Sequence, residues 1–245
     1  MAVEGVLNLY KPCWETSAQH AYRLRPIFGV RRVGHAGALD PFADGVLLVC
    51  VGTATRLVER LMELPKVYAA ELRLGVTNET FDPERPFEAV AGARDPGRAA
   101  VEAALASLVG EREQVPPRHS AVRVAGRRAY DVARGGGSAS PRARPVRVDS
   151  IVVTAYAWPT LVIEIVCGRG TYIRAVARDV GESLGCGAVC AALRRTAVGP
   201  FGVGDAVDLS AARPEAVRAA LMPGSQVLAR LGAMGGGQIG RAGAT

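Results

Sequence analysis

The sequence predicts a mixed α/β or α+β domain, and three observations carry that reading. Runs with the period-two alternation of strands and runs with the period of helices follow each other irregularly, with no internal repeat. The 245 residues suit one domain, or one domain with a small appendage, and a chain of this length can bury a self-sufficient core. At 49% apolar and 22% charged residues it is neither disordered nor fibrous, and its longest apolar stretches, such as residues 46–51, fall far short of a membrane span.

The elements follow in order. Residues 5–10 form a short apolar strand running into Lys11-Pro12, and Thr16 or Ser17 caps a helix that runs to Phe28 and ends at Gly29. A glycine-punctuated loop covers 33–41, and the apolar run 46–51 is a buried strand. Residues 54–64 put Leu57, Leu61 and Leu64 on one helical stripe, whereas from 66 to 75 the period is two and Tyr68, Ala70, Leu72 and Leu74 share a face. The polar, proline-bearing stretch 78–97 is a surface loop, 99–108 a helix, and Val115-Pro116-Pro117 breaks the chain before a strand at 120–124. A mobile Gly/Ser/Pro/Arg-rich loop at 135–145 precedes strands at 146–157 and 161–167. A helix then covers 171–184, with Ile173, Val176, Ala177, Val180 and Leu184 buried, and a further short helix ends in Leu193-Arg194-Arg195. One amphipathic helix follows Leu209, and from about Gly232 a glycine- and alanine-rich tail is disordered.

Thirty basic against twenty-three acidic residues give a net charge of +7, which suits a polyanionic partner as well as an ordinary basic enzyme. Only Lys11 and Lys66 are lysines; the other 28 basic residues are arginines. The two lysines therefore mark sites where a compact ammonium does what a planar guanidinium cannot. Five scattered cysteines, among them Cys186 and Cys190 on an expected helix with no histidine near, make a poor zinc site and read as reduced, buried thiols. The N-terminus has no basic-then-apolar ramp, so no signal peptide is expected.

The densest constellation is Gly34-His35-Ala36-Gly37-Ala38-Leu39-Asp40-Pro41. Two glycines let the backbone turn sharply or approach a ligand, and Pro41 pushes Asp40 into an extended conformation at the end of a loop. An acid presented this way serves as nucleophile, base or plain turn residue, and His35 as ligand contact or structural histidine. No GxGxxG, P-loop or nucleophile elbow accompanies it.

The ensemble of motifs resembles the TruB family, the tRNA pseudouridine-55 synthases. The Gly34–Pro41 block with Gly45 is similar to the family's catalytic signature. Lys11-Pro12 with Thr16-Ser17, Gly52-x-Ala54-Thr55, and Lys66-x-Tyr68 match further blocks in the same order. So do Gln114-Val115-Pro116-Pro117 through Ser120-Ala121, Gly126, Tyr130 and Ala133-Arg134, then Gly170-Thr171-Tyr172-Ile173-Arg174, then Leu193-Arg194-Arg195. The resemblance covers about residues 5–204. The chain departs from it at Trp14, where glycine is usual, at His119, where tyrosine is usual, and at Arg85 in the acidic loop 77–85, where glycine is usual although Thr80 and Asp82 are kept. These departures fall on loops near the RNA path.

The resemblance implies a pseudouridine-synthase fold, a largely antiparallel or mixed central sheet flanked by helices and loops, with residues 1–225 as catalytic domain and 226–245 as a short flexible tail. Only about forty residues follow Gly204, too few for a PUA-type RNA-binding domain. It implies isomerisation of uridine 55 in the tRNA T-loop after base flipping, with Asp40 as nucleophile and no metal or cofactor. Arg174 would be the cation near that carboxylate, although by sequence position it could instead pair with Glu182 or Asp179. Tyr68, Tyr172 and Leu193 would contact the uridine. His35 would fill the stack or support the flipped base, and Lys11, with arginines at 23, 25, 31, 32, 118, 123, 127 and 128, could track phosphates. The implied partner is the tRNA T-arm stem-loop, and the expected protein is cytoplasmic and monomeric, with neither membrane nor obligate protein partner. A tRNA-folding module and a same-fold synthase with another RNA target are the alternatives.

Overall fold

The computed structural model describes residues 3–118, 123–124, 127–128 and 141–234. The chain forms two compact units, one of residues 1–66 with 195–245 and one of residues 67–194.

The first unit starts with β1 (Gly5–Lys11). Thr16 then caps α1 (Ser17–Tyr22) through a capping box with Gln19. The single helix expected to Phe28 is two: Pro26 has no N–H for the Tyr22 carbonyl, so α1 ends there and α2 (Leu24–Phe28) follows, closed by Gly29 at φ 64°. β2 (Val33–His35) pairs antiparallel with β3 (Asp44–Val51), which also pairs with β1 from Gly5↔Val51 to Lys11↔Gly45. The start of the expected glycine loop is thus a short strand, and the loop proper begins after His35. Residues 52–57 form a 3₁₀ segment leading into α3 (Val58–Met62). β3 is buried along its whole length because both faces are covered. Leu47, Val49 and Val51 pack with Leu7, Leu9, Ala21, Leu24 and Phe28 on one side. Val46, Leu48 and Cys50 pack with Val6, Ala54, Leu61 and Phe201 on the other.

The second unit holds β4 (Lys66–Leu74), whose burial alternates as the period predicts. Val76–Thr77 (β5) pairs with Glu88–Ala89 (β6), which lies inside the stretch expected as a surface loop, and Asn78, Thr80 and Asp82 in that stretch are buried. α4 (Arg98–Ala106) precedes β7 (Gly110–Gln114). Arg123–Val124 (β8) pairs with Arg127–Arg128 (β9); the rest of the strand expected at 120–124 and most of the loop at 135–145 lie outside the described residues. β10 (Arg144–Ala157) pairs antiparallel with β7 and with β11 (Thr160–Cys167), and the strand order here is β4-β11-β10-β7. α5 (Ile173–Ser183) buries Ile173, Val176, Ala177 and Val180 of the expected stripe, whereas Leu184 caps its end half-buried.

β12 (Ala188–Val198) replaces the helix expected to end at Arg195 and carries Cys190, so Cys186 and Cys190 share no helix. Its end pairs with β13 (Phe201–Gly202), and β14 (Val207–Asp208) adds to β1 in parallel. After Leu209 there are two helices, α6 (Pro214–Ala219) and α7 (Gly224–Met234), where one was expected. Residues 226–234, assigned from sequence to a flexible tail, lie in α7, and Val227 is fully buried. Residues 235–245 are outside the described residues. Among the described residues no helix is long and apolar enough to cross a membrane.

Candidate active-site residues

The Asp40 loop is held at nearly every carbonyl. Ser17 Oγ donates to Leu39 O at 3.1 Å and accepts from Leu39 N at 2.8 Å. Ala43 N donates to Asp40 O at 3.1 Å, and Trp14 N to Pro41 O at 2.6 Å. Lys11 Nζ donates to Pro12 O, Pro41 O and Ala43 O at 2.9, 3.2 and 2.6 Å. From the other side, Arg195 Nε donates to Val46 O at 2.7 Å, Nη2 to Gly37 O at 2.9 Å and Nη1 to Ala38 O at 3.4 Å. Gly45, at φ 109°, lets the strand backbone close on Arg195, since a Cβ there would stand 2.2 Å from Arg195 O. Asp40 itself is half-buried, and so is His35 at the head of the loop.

Arg195 is the residue that sequence reasoning missed here. It is 1% exposed, and its planar fork bridges the loop and β3. The signal available was its place in the Leu193-Arg194-Arg195 block.

Lys11 corrects an expectation. It was assigned to phosphates, yet it is fully buried and its ammonium's three N–H groups meet three carbonyl oxygens. Burial lowers its pKa from 10.5 to about 8, partly offset by the negative groups of Cys13, Glu15, Asp40 and Asp44. The folded state therefore binds fewer protons than the unfolded chain between those values, and stability rises with pH across that window. Relative to Lys11→Met, the wild type is expected to gain up to about 3 kcal/mol from pH 8 to 10.5. Urea midpoints of both proteins across this range measure it, and a constant difference would mean an unshifted lysine.

In the second unit Arg174 is 2% exposed and has neither of the local partners open to it by sequence. Its Nη1 lies 3.0 Å from Asp82 Oδ2 and donates to Thr80 O at 3.1 Å. Asp82 is fixed in turn by Thr80 Oγ1 at 2.6 Å and Glu84 N at 3.0 Å, both on Oδ1. Asn78 Nδ2 closes the loop onto Asp82 O and Arg85 O at 2.7 and 2.9 Å. Asp179 pairs instead with Arg112 and Arg178, at 3.1 and 2.6 Å. Tyr172, just ahead of α5, is held by Gln114, whose side chain donates to Tyr172 O at 3.2 Å and accepts from Tyr172 N at 2.9 Å. Tyr68 and Leu193 are buried at 8% and 7% exposure. Asp40, His35 and Lys11 thus belong to the first unit, and Tyr68, Tyr172, Arg174 and Leu193 to the second.

The TruB family pseudouridylate synthase model (N-terminal domain) matches residues 25–173, more than half the chain, and the tRNA pseudouridylate synthase B C-terminal domain matches 174–228. The chain belongs to the TruB family of pseudouridine synthases. It is 46% identical to tRNA pseudouridine synthase B of Gloeobacter violaceus, over 85% of this chain and 73% of that one. To the Burkholderia pseudomallei (strain 668) protein of the same name it is 42% identical, over 86% and 69%. Among solved structures it is similar to a Cbf5-Nop10-Gar1 complex, with a TM-score of 0.70 and 27% identity over 92% of this chain, spanning 62% of that one. A structure of an H/ACA RNP bound to a substrate RNA gives a TM-score of 0.67 at 25% identity, over 92% and 61%.

The family pattern also explains one departure in physical terms. Trp14 stands where glycine is usual, and its φ is 66°, a backbone region that favours glycine. Arg85 is exposed and contributes its carbonyl to Asn78, a contact that any residue makes. His119 lies outside the described residues.

Proposed function

We propose that this TruB-family chain isomerises uridine 55 in the T-loop of tRNA to pseudouridine in the cytoplasm, as a monomer, with Asp40 as nucleophile. The observation that carries the reading is the Asp40 loop, whose carbonyls are tied to Ser17, Lys11, Trp14 and Arg195. A carboxylate on a backbone fixed from both sides is pre-organised for attack and needs no reordering when RNA arrives. The names of the curated relatives support tRNA as the substrate.

The reaction breaks the bond from uridine N1 to ribose C1′ and joins C1′ to C5; C5 releases its proton and N1 takes one up. Atoms and electrons balance within the nucleotide, so the reading invokes no cofactor. The target base must first leave the T-loop stack, and His35, Tyr68, Tyr172 and Leu193 are the contacts that this reading assigns to it. Arg174 is the cation that favours an ionised carboxylate in this reading.

Purified protein incubated with a T-arm stem-loop in chelator-containing buffer is expected to yield pseudouridine at the loop position. Product from whole tRNA alone would extend recognition beyond the arm. Binding without product from either would turn the reading toward RNA remodelling. Tyr68→Phe is expected to slow turnover by about 10- to 100-fold while changing RNA affinity little. Unchanged single-turnover rates would remove the hydroxyl from the mechanism.

A further inference from the structure

Trp14 adopts a left-handed backbone conformation, at φ 66°. A bulky side chain in the left-handed region is strained, and only Phe81, at φ 56°, shares that condition among the described non-glycine residues. The ring is also 64% exposed, the highest value among the large hydrophobic side chains described, so packing offsets little of that strain. Strained backbone that the surroundings hold in place is a mark of functional sites. Here the surroundings do hold it: Trp14 N donates to Pro41 O at 2.6 Å, one residue past Asp40. The next residue, Glu15, pairs with Arg23 at 2.9 Å and contacts His20 at 2.6 Å, which fixes the turn on its other side.

The helical segment that follows this turn is basic and aromatic. Arg23, which reaches back to Glu15, and Arg25 are exposed, and Arg25 stacks on the exposed Tyr22 ring at 3.8 Å. Exposed rings beside guanidinium groups suit single-stranded RNA, whose bases stack on the ring while the cations meet the phosphates. We propose that Trp14 is a stacking platform for an unpaired RNA base next to the uridine on which Asp40 acts. This deepens the function proposed above and rests on it. The strain is kept at a position where the family pattern has glycine because the indole adds a contact that glycine cannot make.

The two roles of the ring pull in opposite directions, which makes them separable. Trp14→Gly is expected to raise the melting temperature by relieving the strain, and to weaken binding of the T-arm stem-loop by about 10-fold. Trp14→Phe, which keeps a ring, is expected to retain most of the affinity. In a Trp158→Phe background Trp14 is the sole indole, and its fluorescence is expected to be quenched on titration with the stem-loop.

Unchanged affinity in Trp14→Gly, with wild type binding normally, would overturn the proposal and leave the synthase reading intact. Affinity and melting temperature falling together would also overturn it, as the mark of a merely structural residue. Failure of wild type to bind the stem-loop or whole tRNA would instead defeat the function on which the proposal rests.

Discussion

Asp40→Asn is expected to abolish pseudouridine formation, by on the order of 10⁴-fold or more, while leaving tRNA affinity within about threefold of wild type. The substitution is nearly isosteric and keeps every backbone contact of the loop. Leu39 still meets Ser17, Pro41 still meets Trp14 and Lys11, and Gly37 and Ala38 still meet Arg195. What goes is the negative charge and one oxygen of the carboxylate proposed as nucleophile. Single-turnover assays beside binding titrations of the same preparation decide the matter. Measurable turnover would exclude Asp40 as nucleophile, and lost binding in a folded variant would show that its role is not purely chemical. The same variant also tests the tRNA-folding alternative, which gains support if the catalytically dead protein still speeds tRNA folding.

The second large effect falls on stability. Arg174 and Asp82 are each almost wholly buried, so their ion pair lies where water cannot replace either partner. Breaking such a pair costs about 3–5 kcal/mol, or roughly 6–20 °C in melting temperature for a chain of this size. Asp82→Asn and Arg174→Met are each expected to lose that much. The double variant is expected to lose clearly less than the two together, because both single losses come from breaking the same pair. Additive losses would mean that the two side chains act independently, each through its contacts with Thr80.

The strands that alternate cleanly, β4 and β11, and the amphipathic α5 were legible because period and burial coincide in them, and β1 through its unbroken apolar run. β12 was misread for a physical reason. Seven of the eleven residues of Ala188–Val198 are alanine, leucine or arginine, good helix formers, and its place in the sheet makes it extended. β7, with the sequence GEREQ, shows no apolar alternation because four of its five residues are exposed or half-exposed. The site was legible in part. Asp40 stood out through its glycines and proline, whereas the partner of Arg174 did not, because nearby Asp179 and Glu182 looked suitable and Asp82 is remote in sequence. Lys11 was noticed for its rarity and then given a surface role, since nothing in a linear chain reports three inward carbonyls.

That burial of lysine reaches beyond the loop. Lys66 is 5% exposed, with its ammonium on Met62 O, and Lys11 is fully enclosed, so neither side-chain amine of the chain faces solvent. With His20 also buried, every basic side chain left to meet a polyanion is a guanidinium or one of the other two imidazoles. Such a surface keeps its arginine charge far into alkaline pH, and lysine acetylation cannot modulate it. Acylating dyes and aldehyde crosslinkers likewise find no exposed lysine to capture.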